Sequence, residues 1–164
     1  MTRSAIKWGV LAVVVVVAAA ALFSKKTFLA ETTIPAPPDA VWSVLMDTAE
    51  YANWNPVFVA IEGAYASGAQ LTNHVRFPDG SVVAMDATVE TMVPSRELRQ
   101  KGGMPGILTF DHRWLLEPVP DGTKVTQLEV DRGLWLWFWD SDWVEPAYRR
   151  TNEALGARVL GTDG

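Results

Sequence analysis

The residues best able to do chemistry in this chain are one histidine and two carboxylates: His112, Glu129 and Asp131. Val125, Gln127, Glu129 and Asp131 fall at every second position, so a strand there puts all four on one face. Glu129 and Asp131 then stand about 7 Å apart, close enough for each to disfavour ionisation of the other if both are buried. A carboxyl with a raised pKa is what acid–base catalysis near neutral pH requires, but only with a substrate in hydrogen-bond reach. The alternative is a structural network of Glu129 with His112 or Arg113. His112, Trp114 and Leu116 share the face of another alternating stretch. For His112 the alternative to ligand contact is a partly buried imidazole satisfied by a neighbouring side chain or carbonyl.

Five aromatic residues, Trp135, Trp137, Phe138, Trp139 and Trp143, crowd a stretch of nine. They could plug one end of the core, gate the mouth of a ligand site or rest on a bilayer interface.

Other chemistries are excluded. Without cysteine there is no disulfide, thiolate metal site, thiol nucleophile or acylated lipoprotein cysteine. Only His74 and His112 are present, so a histidine-rich metal site is ruled out, and there is no Gly-x-Ser-x-Gly elbow or EF-hand loop. Gly102-Gly103-Met104-Pro105-Gly106 lacks the following helix and lysine of a phosphate loop and reads as a strand connection. No metal and no cofactor are expected.

The elements that must position these residues follow from periodicity and punctuation. Residues 27–34 alternate as a strand, and Pro37-Pro38-Asp39 opens a helix running to about Asp47, with Val41, Val44 and Leu45 as its apolar stripe. A short second helix over 49–54 stops at Asn55-Pro56. From Val57 to Gly133, breaks such as Pro78-Asp79-Gly80 and Pro120-Asp121-Gly122 divide six antiparallel strands. Asp142, with Glu145 three residues on, predicts a capping box for a last helix bearing Val144, Tyr148, Leu155 and Val159 on one side.

This order of elements, together with Ile34-Pro35-Ala36-Pro37-Pro38-Asp39-Ala40-Val41-Trp42, resembles the START-like (SRPBCC) helix-grip superfamily, and in particular its polyketide cyclase/dehydrase and lipid transport branch. Tyr51-Ala52-Asn53-Trp54-Asn55-Pro56, the stretch from His112 to Pro118, and Gly122-Thr123 leading into Gln127 and Glu129 extend the resemblance over about residues 30–160. It implies an α+β helix-grip fold, a curved sheet wrapped around the long C-terminal helix with a largely apolar cavity between them. The cavity's ligand contacts are then expected from Trp54, His112, Trp114, Gln127, Glu129, Asp131, Trp135 and Trp143. One departure stands out: Asp131 occupies a place where relatives tend to carry an aromatic residue, so a more polar cavity is expected.

Ahead of this domain, assigned to 27–164, residues 1–26 form a segment of their own. Trp8 to Phe23 is sixteen residues without a charge, flanked by Arg3 and Lys7 before and by Lys25 and Lys26 after. As a helix it spans about 24 Å against a hydrocarbon core of about 30 Å, which snorkelling lysines would extend. The reading is a retained single-pass transmembrane helix, with a cleaved signal peptide as the rival, and the flanking charges favour an extracytoplasmic domain.

The remainder carries ten Lys/Arg against nineteen Asp/Glu, a formal charge of −9, which disfavours nucleic acid as a partner. The expected partners are a hydrophobic small molecule or lipid, and the membrane. Binding or transport is favoured over catalysis. The alternatives are a cyclase- or dehydratase-like enzyme using His112, Glu129 or Asp131, and an envelope interaction protein whose cavity is closed.

Overall fold

The alternating stretches assemble into one seven-stranded antiparallel sheet, in a computed structural model that describes residues 3–162. In chain order the elements are α1 (Arg3–Phe23), β1 (Lys25–Ile34), α2 (Pro38–Met46), α3 (Tyr51–Trp54), β2 (Phe58–Glu62), β3 (Gln70–Arg76), β4 (Val82–Val93), β5 (Glu97–Met104), β6 (Leu108–Val119), β7 (Gly122–Arg132) and α4 (Val144–Leu160). The six strands expected after Val57 are present. Consecutive hairpins build β2 to β7, and β1 closes the order by pairing with β7 along its whole length, Lys25 opposite Arg132 and Ile34 opposite Thr123. Register shifts between Phe58 and Ala60 and between Val89 and Thr91 bend the sheet, as bulges do. Its concave face wraps α4, which buries Val144, Ala147, Tyr148, Thr151, Asn152 and Leu155.

Local chemistry explains the helix start at α2: Pro38 lies in the first turn, where a missing N–H costs nothing, and Asp39 meets the positive end of the helix dipole. The predicted capping box at α4 does not form. The residue preceding the helix is Trp143, with no side-chain cap, while the Glu145 carboxylate instead accepts from the backbone N–H of Leu29 at 3.1 Å and ties the helix to β1. Tertiary demand for that carboxylate outweighs the local motif.

The transmembrane helix and the single-pass localisation are corrected. Among the described residues, no helix is long and apolar enough to cross a membrane. At the C-terminal end of the run the chain passes directly into a strand. β1 begins at Lys25, and the Lys26 ammonium donates to Ser141 Oγ at 2.6 Å and reaches Asp142 Oδ1 at 3.2 Å. With no such helix among the described residues, neither the single-pass span nor the extracytoplasmic placement that depended on it stands. In this structure α1 carries Val10, Val13, Val14, Val15 and Val16 more than half exposed.

Candidate functional site

Two hydrophobic clusters occupy the concave face. One is a solid core in which α2 supplies Val41 and Leu45, α3 supplies Tyr51, α4 supplies Leu155, and the sheet supplies Leu71, Val89, Leu98, Trp114, Leu116 and Val125. The other, around Phe28, Val57, Val75, Val144 and Tyr148, stands beside a cavity of about 370 Å³ between the sheet and the start of α4. Its walls are largely apolar, with Phe58, Phe77, Met85, Leu108 and Phe110 prominent, and Trp135, Trp139 and Trp143 lie along it.

A belt of buried polar side chains crosses the cavity wall at one level of the sheet. Gln100 on β5 stands opposite His112 on β6, and His112 stands opposite Glu129 on β7. Asn73 on β3 joins by donating its amide to Gln100 Oε1 at 3.0 Å, and Asp131 lies two residues beyond Glu129. All five line the cavity, and none is more than 9% exposed.

His112 is boxed by the rings of Phe58, Tyr148 and Trp114, with centroids at 5.3, 5.4 and 5.9 Å. The Asn55 carboxamide helps to place Phe58, accepting from the N–H groups of Val57 and Phe58 at 3.0 and 2.8 Å where the chain enters β2. Burial opposes the charged imidazolium and brings His112 down to about 3, so the ring is neutral at physiological pH. Its Nε2 lies 3.0 Å from the Gln127 amide nitrogen. With that amide so placed, Gln127 donates and the imidazole carries its proton on Nδ1.

The carboxyl pair moves the other way. Burial first, and then the neighbouring Asp131, push Glu129 up, while the Tyr148 hydroxyl beside it pulls modestly down. Burial likewise pushes Asp131 up. Both carboxyls therefore titrate near neutrality, and the two share protons as a unit. Arg113 does not join them: it turns to the outer face, where it and Arg99 hold Asp111 well below the usual carboxylate range, against the cost of that group's own burial.

Among the expected contact residues, His112, Glu129, Asp131, Trp135 and Trp143 line the cavity, whereas Trp54, Trp114 and Gln127 do not. Trp114 is 2% exposed within the solid core, Gln127 is fully buried behind His112, and Trp54 packs edge-on against Tyr51 at 5.2 Å. Asn73, Gln100, Phe58 and Tyr148 line it without having been expected among the contacts from the sequence. The first two carried a signal, since Asn73 sits between Leu71 and Val75 and Gln100 two places after Leu98 on otherwise apolar faces. The aromatic stretch divides: Trp135, Trp139 and Trp143 border the cavity, while Trp137 and Phe138 are 51% and 72% exposed.

Comparison with solved structures supports the fold. A Rhodobacter sphaeroides protein aligns with a TM-score of 0.66 at 13% identity, covering 84% of this chain and 99% of that one. A Mesorhizobium loti protein aligns with a TM-score of 0.63 at 19% identity, covering 83% and 97%. DynU16, from the dynemicin biosynthetic locus, aligns with a TM-score of 0.59 at 22% identity, covering 83% of this chain and 47% of its own. No curated protein matches the sequence. The family model for polyketide cyclase/dehydrase and lipid transport matches residues 26–160, from the first strand to the end of α4, and the chain belongs to that family.

Proposed function

We propose that this protein binds a hydrophobic small molecule or lipid in the cavity between the sheet and α4. The observation that carries this reading is the cavity itself: about 370 Å³ with mostly apolar walls and one buried polar belt. That volume lies in the range of small-molecule sites and far above the roughly 30 Å³ of a water molecule, which weighs against the closed-cavity alternative. Apolar walls supply affinity by removing ligand surface from water, and the belt supplies orientation. His112, Glu129, Asp131, Trp135 and Trp143 are the proposed contacts, joined by Phe58 and Tyr148.

The test is displacement of the neutral fluorophore phenylnaphthylamine from the full chain, with Val75→Phe narrowing the cavity. Saturable binding that Val75→Phe removes while the fold is retained supports the reading. Absence of binding, or binding indifferent to that substitution, overturns it.

The raised carboxyl pair also favours a second reading, an acid–base catalyst acting on the bound molecule. Neutral, weakly basic His112 is a poor proton acceptor for such a reaction. Loss of turnover in Glu129→Gln with unchanged substrate affinity would separate catalysis from binding.

A further inference from the structure

We infer that the molecule held in this cavity carries a protonated amine on an apolar body, with its N–H groups seated on the carboxyls of Glu129 and Asp131. The inference rests on the cavity-binding reading and narrows its ligand class. Two buried side-chain atoms of cavity-lining residues lack a hydrogen-bond partner among the described residues, Asp131 Oδ1 and Asn73 Oδ1. Both are acceptors, on residues only 2% and 3% exposed. A buried acceptor left unpaired is costly, so the complementary ligand brings donors.

Charge points the same way. Among the described residues that line the cavity there is no lysine or arginine to meet a carboxylate or phosphate head. A second anion beside the pair would be repelled in a low-dielectric site, whereas an ammonium supplies both compensating charge and up to three N–H groups. The nearest cation in register is Lys26, opposite Asp131 on β1, and its ammonium is drawn off to Ser141 and Asp142 and over the Phe28 ring. Trp139 and Trp143, packed edge-to-face at 6.2 Å along the cavity, offer ring faces that favour a cation.

The other groups facing the pair leave its charge as the main variable. His112 from β6 is neutral, Tyr148 from α4 holds its proton because burial pushes its pKa far up, and Phe28 and Phe110 are the apolar register partners of Glu129 and Asp131. Asp142 is engaged with Lys26, and Asp111 lies on the opposite face of β6 with its arginines. Protons held by the carboxyl pair are therefore released when an ammonium binds.

The experiment uses the full chain and three probes with one tail, decylamine, decanol and decanoate, each displacing phenylnaphthylamine. At about pH 8, decylamine is expected to displace at about tenfold lower concentration than decanol, with decanoate weakest. The preference shrinks towards about pH 5 as the carboxyls protonate, and calorimetry in buffers of different ionisation heat registers proton release. Asp131→Asn and Glu129→Gln each reduce the preference, and the double variant abolishes it. Lys124→Ala, on the outer face, retains it, and circular dichroism verifies that each variant is folded. Equal displacement by decanol and decylamine overturns the inference, as does an amine preference that survives in the folded double variant. Failure of phenylnaphthylamine to bind at all overturns the cavity-binding reading and this inference together.

Discussion

The two ends of the concave sheet are built from the same strands with the same alternation, yet one is solid and the other hollow. On β6, Trp114 and Leu116 disappear into the core while His112 and Phe110, on the same face, border the cavity. On β7, Val125 is fully buried in the core, and Glu129 and Asp131 line the void. The difference lies in what faces the sheet. At the solid end α2, α3 and Leu155 of α4 meet it, and the Tyr51 hydroxyl donates to the Leu45 carbonyl at 2.7 Å to lock two helical segments together. At the hollow end α4 presents Val144 and Tyr148, and the tryptophan-bearing connection after β7 completes the lining. Stability is thus concentrated at one end, which leaves the other free to keep unpaired polar atoms and an unfilled volume.

The sharpest way to break this contrast is at the solid end. Trp114→Ala is expected to cost about 3–5 kcal/mol by leaving a void among close-packed neighbours, measured by urea denaturation. A much smaller loss would mean that the solid end is not the stabilising one.

The carboxyl pair comes next. An acid whose pKa is raised on folding contributes most below its unfolded value near 4 and loses that contribution as pH rises through its folded value. For Glu129 and Asp131 this predicts falling stability from about pH 4 to about pH 8. The double variant Glu129→Gln/Asp131→Asn flattens that slope and gains on the order of a few kcal/mol at the alkaline end. His112 acts with the opposite sign: its folded pKa is depressed to about 3, so its contribution is present above the unfolded value near 6.5 and is lost as pH falls. Thermal unfolding across pH in His112→Gln should show a weaker acid loss than the native chain.

Val75→Phe fills space in a region that has it, so its cost should stay below about 1 to 3 kcal/mol, the range for overpacking a filled core, while ligand binding is lost. A large destabilisation there would argue that the hollow end is already tightly packed. The smallest effect belongs outside both regions: Lys124→Ala removes a largely solvated ion pair with Glu31 at 2.8 Å and should change stability by less than about 1 kcal/mol.

Much of the site was legible in the sequence, and the reason for each success and miss is geometric. Period-two spacing correctly put Glu129 and Asp131 together on the inner face, because two residues along a strand necessarily face the same way. The same rule could not separate His112 from Trp114, which share a face but fall on opposite sides of the boundary between cavity and core. Tyr148 read as one more core position on a helical stripe, since nothing local reports that the opposing sheet has curved away. Trp54 and Gln127 were expected among the ligand contacts, and neither lines the cavity: Trp54 packs on Tyr51 in the solid core and Gln127 lies behind His112.

The N-terminal run shows the limit from another side: composition made it apolar, but the entry of Lys25 and Lys26 into β1 depends on strand β7, more than a hundred residues away. The sequence alone determined the order of strands and helices, the inward face of each strand and the adjacency of the two carboxyls, because these follow from covalent spacing and local turns. Only the tertiary structure decided which end of the sheet is hollow, that Glu145 ties α4 to β1 instead of completing a cap, and how far burial displaces the charges of His112, Glu129 and Asp131. Those outcomes depend on gaps and contacts between elements distant in the chain, which no local periodicity encodes.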